Sequence, residues 1–237
     1  LVDFPKHRNF RAFFGRRLGR PLRPCRQRVL DSLLPVLEIE EARITQQHDI
    51  NPSSLFPNAP SYITMEIGFG SGEHVTALLS QHRDHHFIAI EPFINGMSNF
   101  LKDIEPDKAA QVRTRVYMDD ALKLVRSLAP SSIDRLYILN PDPWHKTKHH
   151  KRRIVRPETL DEYARILKPG AELILSSDVP DLSEWMFTHT FNHDSFKWTA
   201  TCADDWRVAP ENWIETRYAV KGAKGADQMS YLIFRRV

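Results

Sequence analysis

From Tyr62 onward the chain alternates between two spacings of apolar residues. Tyr62 to Ile67 and Phe87 to Glu91 are short, almost continuous apolar runs, the pattern of strands buried on both faces. Between them Val75, Leu78 and Leu79 fall on one side of a helix. The alternation repeats: Phe93, Met97, Phe100, Leu101 and Ile104 recur at helical spacing, a strand is predicted over Val112 to Tyr117, and a short helix from Ala121. Ile133 to Leu139 reads as a buried central strand. A helix over Pro157 to Leu167, stopped by Lys168-Pro169-Gly170, precedes a strand over Glu172 to Ser177. A helix through Leu182, Trp185 and Met186 and strands at Phe196 to Thr201 and Ser230 to Phe234 complete the series. Strands and helices in turn at this spacing predict an α/β fold with a mostly parallel sheet and helices on both faces. Upstream, Val29, Leu30, Leu33, Leu34 and Leu37 form an apolar helical stripe that Pro35 limits or kinks, and Pro52, Pro57 and Pro60 mark a loop.

Composition narrows the class without changing this picture. At 237 residues and 41% hydrophobic, the chain suits one large globular domain. No apolar run approaches the roughly 18 to 20 residues that span a bilayer, and no apolar segment near the start marks the chain for secretion. Cys25 and Cys202 stand alone, which fits a cytoplasmic protein and argues against a disulfide framework or a Cys-based zinc site. Charge is unevenly spread. Residues 1–30 carry nine Lys and Arg against Asp3 alone, a local +8 that leaves −5 on the rest of a chain whose net charge is +3. Lys146, Lys148, Lys151, Arg152, Arg153 and Arg156 form a second cluster free of acids. Two basic clusters on an acidic body point to a polyanion, and the lack of an amphipathic basic helix favours nucleic acid over membrane. The division expected is a flexible basic arm over 1–28 and a single domain over 29–237.

In a parallel sheet, ligands bind beyond the carboxyl ends of the strands where the chain order reverses. Glu66-Ile67-Gly68-Phe69-Gly70-Ser71-Gly72 ends the first strand and enters a helix, and Glu91 ends the second strand at the position where an acid binds ribose hydroxyls. A dinucleotide site prefers G-x-G-x-x-G, whereas this triplet is G-x-G-x-G with His74 beyond it, which weakens a dehydrogenase reading. An acidic loop with Glu66 and Asp120 suits the ammonium or sulfonium of S-adenosylmethionine better than a pyrophosphate.

Further along, Asn140-Pro141-Asp142-Pro143-Trp144 runs straight into the second basic cluster, a lone carboxylate fixed between prolines beside a phosphate clamp. The prolines suit the end of a central strand and Trp144 suits a core aromatic; as a unit they suit a platform for a base. The histidines at 82, 85, 86, 145, 149 and 150 lack Cys or carboxylate at ligand spacing, so no metal site is expected, and His149 and His150 suit auxiliary phosphate contacts.

Glu66 to His74, Ile90-Glu91-Pro92-Phe93, Pro141-Asp142-Pro143-Trp144-His145-Lys146, Lys151-Arg152-Arg153 and Thr216-Arg217-Tyr218 together resemble the bacterial tRNA (guanine-N7-)-methyltransferase family over residues 60 to 235. The resemblance implies a class I S-adenosylmethionine-dependent, Rossmann-like fold with a seven-stranded sheet. It also implies methylation of guanine N7 in the variable loop of tRNA, at position forty-six. It implies cofactor contacts at Glu66, Gly68, Gly70, Gly72, Glu91, Asn140 and Asp142, with Asp119 and Asp120 as alternatives for one more. Asp142 matches the proposed catalytic carboxylate. Lys146, Asp178, Thr216, Arg217, Tyr218 and Ala219 match substrate-binding positions; the family often has Glu at the last of these, which Ala219 lacks. Lys148, Lys151, Arg152 and Arg153 are expected to hold tRNA backbone phosphates. Neither a membrane nor an obligatory protein partner is expected, and the chain suits a monomer or homodimer. Two alternatives stay open: methylation of an exocyclic RNA amine, and an RNA-binding protein that kept the fold without the activity.

Overall fold

The computed structural model describes residues 15–216 and 228–237. Among them seven strands form one sheet: β1 (Ile63–Ile67), β2 (His86–Ile90), β3 (Thr114–Tyr117), β4 (Ile133–Leu139), β5 (Leu167–Ser177), β6 (Phe196–Trp198) and β7 (Ser230–Arg236). Their order is β3-β2-β1-β4-β5-β7-β6, with β1 to β5 parallel and β7 antiparallel to both its neighbours. The chain builds outward from β1 to β3, then returns to lay β4 on the other side of β1.

The helices are α1 (Pro24–Leu37), α2 (Glu73–Gln81), α3 (Ile94–Ile104), α4 (Lys108–Val112), α5 (Ala121–Ser127), α6 (Pro157–Ile166), α7 (Pro180–Phe191) and α8 (Asp204–Arg207). Strand side chains alternate between two cores. Met65, Ile67, Ile88, Ile90, Leu136, Ile138, Leu173 and Leu175 face one core with residues of α5, α6 and α7. Phe87, Ala89, Tyr137, Leu139 and Ile174 face another with α1, α2 and α3. Because both faces are covered, the strands read as continuous apolar runs rather than as alternating ones.

Several elements differ from the pattern in the sequence. Helix α1 begins at Pro24, inside the span assigned to the basic arm, and runs through Pro35 in its last turn. Pro24 suits a first helical position, where no N–H bond is needed. Strand β3 starts at Thr114 because Val112 closes α4, which is capped by the Asp107 side chain accepting from Ala110 N–H at 2.9 Å. Strand β5 begins as soon as α6 ends, so Lys168-Pro169-Gly170 lies within it; Gly170 has φ +81° and the register with β4 shifts between Ile133 and Arg135. Strand β6 ends at Trp198, short of the expected Thr201.

Candidate active site

A cleft of ≈ 430 Å³ opens beyond the C-terminal ends of β1, β2 and β4, where the sheet order reverses. Its floor is the glycine turn. Gly68, Gly70 and Gly72 have φ of +78°, +61° and +89°, a left-handed backbone that would cost other residues roughly 1–2 kcal/mol each. Gly68 and Gly70 line the cleft; Gly72 does not, and its place is structural, since a Cβ there would stand 2.6 Å from Phe100 Cβ. A further glycine, absent from the motif, completes the turn. A Cβ on Gly96 of α3 would lie 2.1 Å from the Gly70 carbonyl oxygen, so only glycine lets α3 pack against the loop. The close approach that a third glycine gives a dinucleotide fold is thus supplied here from another helix.

The acids around this floor have distinct surroundings. Glu91 accepts hydrogen bonds from Gly70 N–H at 2.7 Å and Phe93 N–H at 2.9 Å, yet burial outweighs them and pushes its pKa up to about 7. Glu66 is buried with its carboxylate 2.6 Å from His74 Nδ1. The His74 ring stands edge-on to Tyr137 at 4.7 Å and 6.1 Å from Trp213. In the sequence His74 registers as a departure from a dinucleotide pattern and as the end of the family-like Glu66 to His74 segment; in the fold it is the partner of a cleft acid. Asp120 lines the cleft and caps α5 by accepting from Leu122 N–H at 3.0 Å; burial pushes its pKa up. Asp119 does not line the cleft. It is 1% exposed and paired with Arg17 and, at 2.8 Å, with Lys123; burial alone would raise its pKa, but these two cations hold it below the usual carboxylate range.

Arg17 belongs to a strap that the reading of residues 1–28 as a flexible arm did not anticipate. Its carbonyl accepts from Ile94 N–H at 3.0 Å, Asn95 Nδ2 donates to the Arg20 carbonyl at 2.8 Å, and Gly19 lies so close to Asn95 and Phe93 that a Cβ would collide with both. Gly15 and Arg16 thereby wall the cleft, with the Arg16 guanidinium 5.5 Å from the centre of the Phe93 ring.

Opposite the glycine turn, Asn140, Pro141, Asp142 and Trp144 form the other wall. Asn140 and Trp144 bracket the loop with φ of +46° and +45°, strained positions for residues other than glycine. Asn140 N–H donates to the Ser176 carbonyl at 2.9 Å, while its Oδ1 is buried with no protein partner. Asp142 keeps contact with solvent, but surrounding protein still pushes its carboxyl pKa up through desolvation. Arg152 also lines the cleft, its guanidinium 5.0 Å from the centre of the Trp144 ring.

The basic run divides. Lys146, Lys148 and Lys151 are exposed outside the cleft lining, as phosphate-binding cations must be. Arg153, which borders the cleft, is not: at 1% exposure it is buried, Nε donating to the Pro143 carbonyl at 2.9 Å and one Nη paired with Asp181, so the contacts it makes are internal where a phosphate contact is expected from the sequence. Thr216 lines the cleft, whereas Asp178, the residue after β5, is not part of its lining. Arg217, Tyr218 and Ala219 lie outside the described residues. His82 and His85 stack at 4.6 Å, with Tyr62 on His85 at 4.1 Å; among the described residues no three His, Cys, Asp or Glu side chains are grouped to hold a metal ion.

An acceptor-rich, glycine-floored cleft at the reversal point of a seven-stranded sheet with β7 antiparallel defines a class I S-adenosylmethionine-dependent methyltransferase. The fold matches the crystal structure of the 16S rRNA methyltransferase KamB with a TM-score of 0.54 at 16% identity, covering 84% of this chain and 95% of that one. A family model described as "Putative methyltransferase" matches residues 60–229. The tRNA (guanine-N(7)-)-methyltransferase of Agrobacterium fabrum is 39% identical over 236 residues, covering 100% of both chains, and that of Azorhizobium caulinodans is 41% identical over 226 residues, covering 95% of each. The chain belongs to the tRNA (guanine-N(7)-)-methyltransferase family.

Proposed function

We propose that the protein transfers a methyl group from S-adenosylmethionine to N7 of a guanine in the variable loop of tRNA, position forty-six. It does so in the cytoplasm, as a monomer or homodimer with no obligatory protein partner. Among the described residues no helix is long and apolar enough to cross a membrane.

The cleft suits the donor. Its volume falls in the range of about 300–1,000 Å³ usual for small-molecule sites. The orphaned Asn140 Oδ1 and the carboxylates of Glu66, Glu91 and Asp120 are acceptors, matched to an ammonium and ribose hydroxyls rather than to a pyrophosphate. Bound there, S-adenosylmethionine supplies a methyl group activated by its sulfonium. Glu91 would take the ribose hydroxyls; Glu66, held by His74, and Asn140 would take the ammonium end.

The observation that carries the reading is Asp142 at the solvent-facing rim of this cleft, followed at once by exposed Lys146, Lys148 and Lys151. Guanine N7 has an in-plane lone pair and no proton to lose, so attack needs alignment and electrostatic support rather than a strong base. Asp142 accepts hydrogen bonds from the guanine N1 and N2 donors, holds the base edge-on, and stabilises positive charge as it develops on the ring. The lysines neutralise backbone phosphates and fix the RNA. Asp142→Asn is expected to lower kcat by about 100-fold, the scale of losing one oriented charge in an active site; a near wild-type rate overturns the role. The function itself is tested by incubating the protein with labelled S-adenosylmethionine and unmodified tRNA and mapping the label by N7-specific chain cleavage. Label on an exocyclic amine, which the Asn140-Pro141 pair could favour, overturns the N7 assignment.

A further inference from the structure

Arg153 is the largest fully buried side chain among the described residues, although it ends a run of cations. A guanidinium removed from water must have its donors matched within the protein. Nε donates to the Pro143 carbonyl at 2.9 Å, one Nη pairs with Asp181 in the first turn of α7, and the centre of the Trp185 ring lies 4.9 Å from Cζ. Trp185 is itself fixed by Nε1 donating to the Val155 carbonyl at 2.7 Å. The second Nη is closed off from solvent and has no protein partner. Arg153 borders the cleft, but with its side chain closed off from solvent it offers no open charge to an RNA backbone.

What it does present is a fixed point beside Asp142. Pro143 follows Asp142 directly, and the loop is held between the left-handed Asn140 and Trp144. Such a conformation persists only where its surroundings over-determine it. Holding the Pro143 carbonyl and tying it through Asp181 and Trp185 to α7 fixes the backbone on the far side of the carboxylate.

We infer that Arg153 is a positioning residue that acts through the Pro143 carbonyl to hold Asp142 toward the reacting guanine, rather than a phosphate contact. The inference rests on the proposed role of Asp142 at the guanine.

The test uses the full chain with unmodified tRNA and compares Arg153→Met, Arg153→Lys, Asp142→Asn, Arg153→Met/Asp142→Asn and Lys148→Ala/Lys151→Ala. Steady-state kinetics are measured with the salt dependence of tRNA binding and thermal unfolding. Arg153→Met should lower kcat by roughly tenfold or more, with the KM for tRNA and the salt slope unchanged. The lysine pair should instead move KM and the slope. In the double variant the losses should not multiply: kcat should match that of Asp142→Asn alone, because Arg153 acts through the group already removed. A lowered salt slope or a raised KM with unchanged kcat in Arg153→Met overturns the inference in favour of a phosphate contact. Multiplying losses also overturn it, while an Asp142→Asn enzyme of normal kcat overturns the underlying reading instead. If Arg153→Met does not fold, Arg153→Lys, which keeps the charge but not the two-sided fork, carries the same expectation; a folded lysine variant with wild-type kcat overturns the inference.

Discussion

Glu91 carries a titration that can be followed from outside. Burial sets its pKa at about 7, above the ordinary 4.5, so the folded protein binds more protons than the unfolded chain between those values. Its contribution to stability is full below pH 4.5 and is lost as pH rises through about 7. With the proposed ribose contact, cofactor binding would have the opposite sign, because ribose hydroxyls donating to the carboxylate favour its charged form. Affinity for the demethylated cofactor should therefore tighten by roughly tenfold from about pH 6 to pH 8, and Glu91→Gln should bind weakly with no such trend. Calorimetric titration across pH checks this; a flat wild-type profile removes Glu91 from the ribose site. Asp119 shows why adjacent carboxylates need not share a role. Two acids sit side by side in the sequence, but backbone direction sends one into the cleft and the other onto Arg17 and Lys123. Lys123, four residues on, is a local partner, but the second cation on Asp119 comes from the strap and no local pattern shows it.

Among the elements, α3 does more than cover the sheet. It touches the glycine turn at Gly96, braces Gly72 through Phe100, and receives the strap through Ile94 and Asn95. In Gly96→Ala the obstacle is a backbone carbonyl, which cannot swing aside as a side chain would. Gly70 must shift, and its N–H bond to Glu91 shifts with it. The variant is expected to lose about 1–3 kcal/mol of stability from overpacking and to bind the cofactor about tenfold more weakly. Thermal unfolding with and without the demethylated cofactor measures both, and unaltered cofactor binding would show that the turn tolerates the displacement. The apolar periodicity of α3 was legible because Met97, Phe100, Leu101 and Ile104 share its core face, although Phe93, read with them, precedes the helix as its N-cap. The need for glycine at 96 was not, because its neighbour lies across the fold on another turn. Similarly, β5 was foreseen, but its start was hidden by a Pro-Gly pair that reads as a helix stop and is also compatible with a shifted strand register.

For the molecule as a whole, charge separates binding from chemistry. The exposed lysines of the second cluster sit outside a cleft lined by acids, a division that suits the proposed holding of RNA at the rim with the cofactor below. Lys148→Ala and Lys151→Ala should each reduce the salt slope of tRNA binding by roughly 0.7 to 0.9 for every phosphate left without its cation. Binding isotherms over a salt series check it; an unchanged slope would place the phosphates elsewhere. Sheet class, cleft position and most cleft acids were legible because strand ends and their motifs are contiguous in sequence. The division of the basic run was not: Arg153 is buried against Asp181 and Trp185 of α7, which follow later in the chain.

One contact joins a cleft acid to the segment that leads to Thr216. Trp213, shortly before Thr216, packs beside His74, which holds Glu66 on the cofactor side. If the cofactor stiffens Glu66 and so favours the RNA-bound arrangement of the segment at Thr216, thermodynamic reciprocity requires RNA to tighten the cofactor by the same factor. The prediction is equal and like-signed cooperativity in the two binding equilibria, abolished by Trp213→Ala. Independent binding of the two ligands to the unaltered protein would reduce Trp213 to a core aromatic.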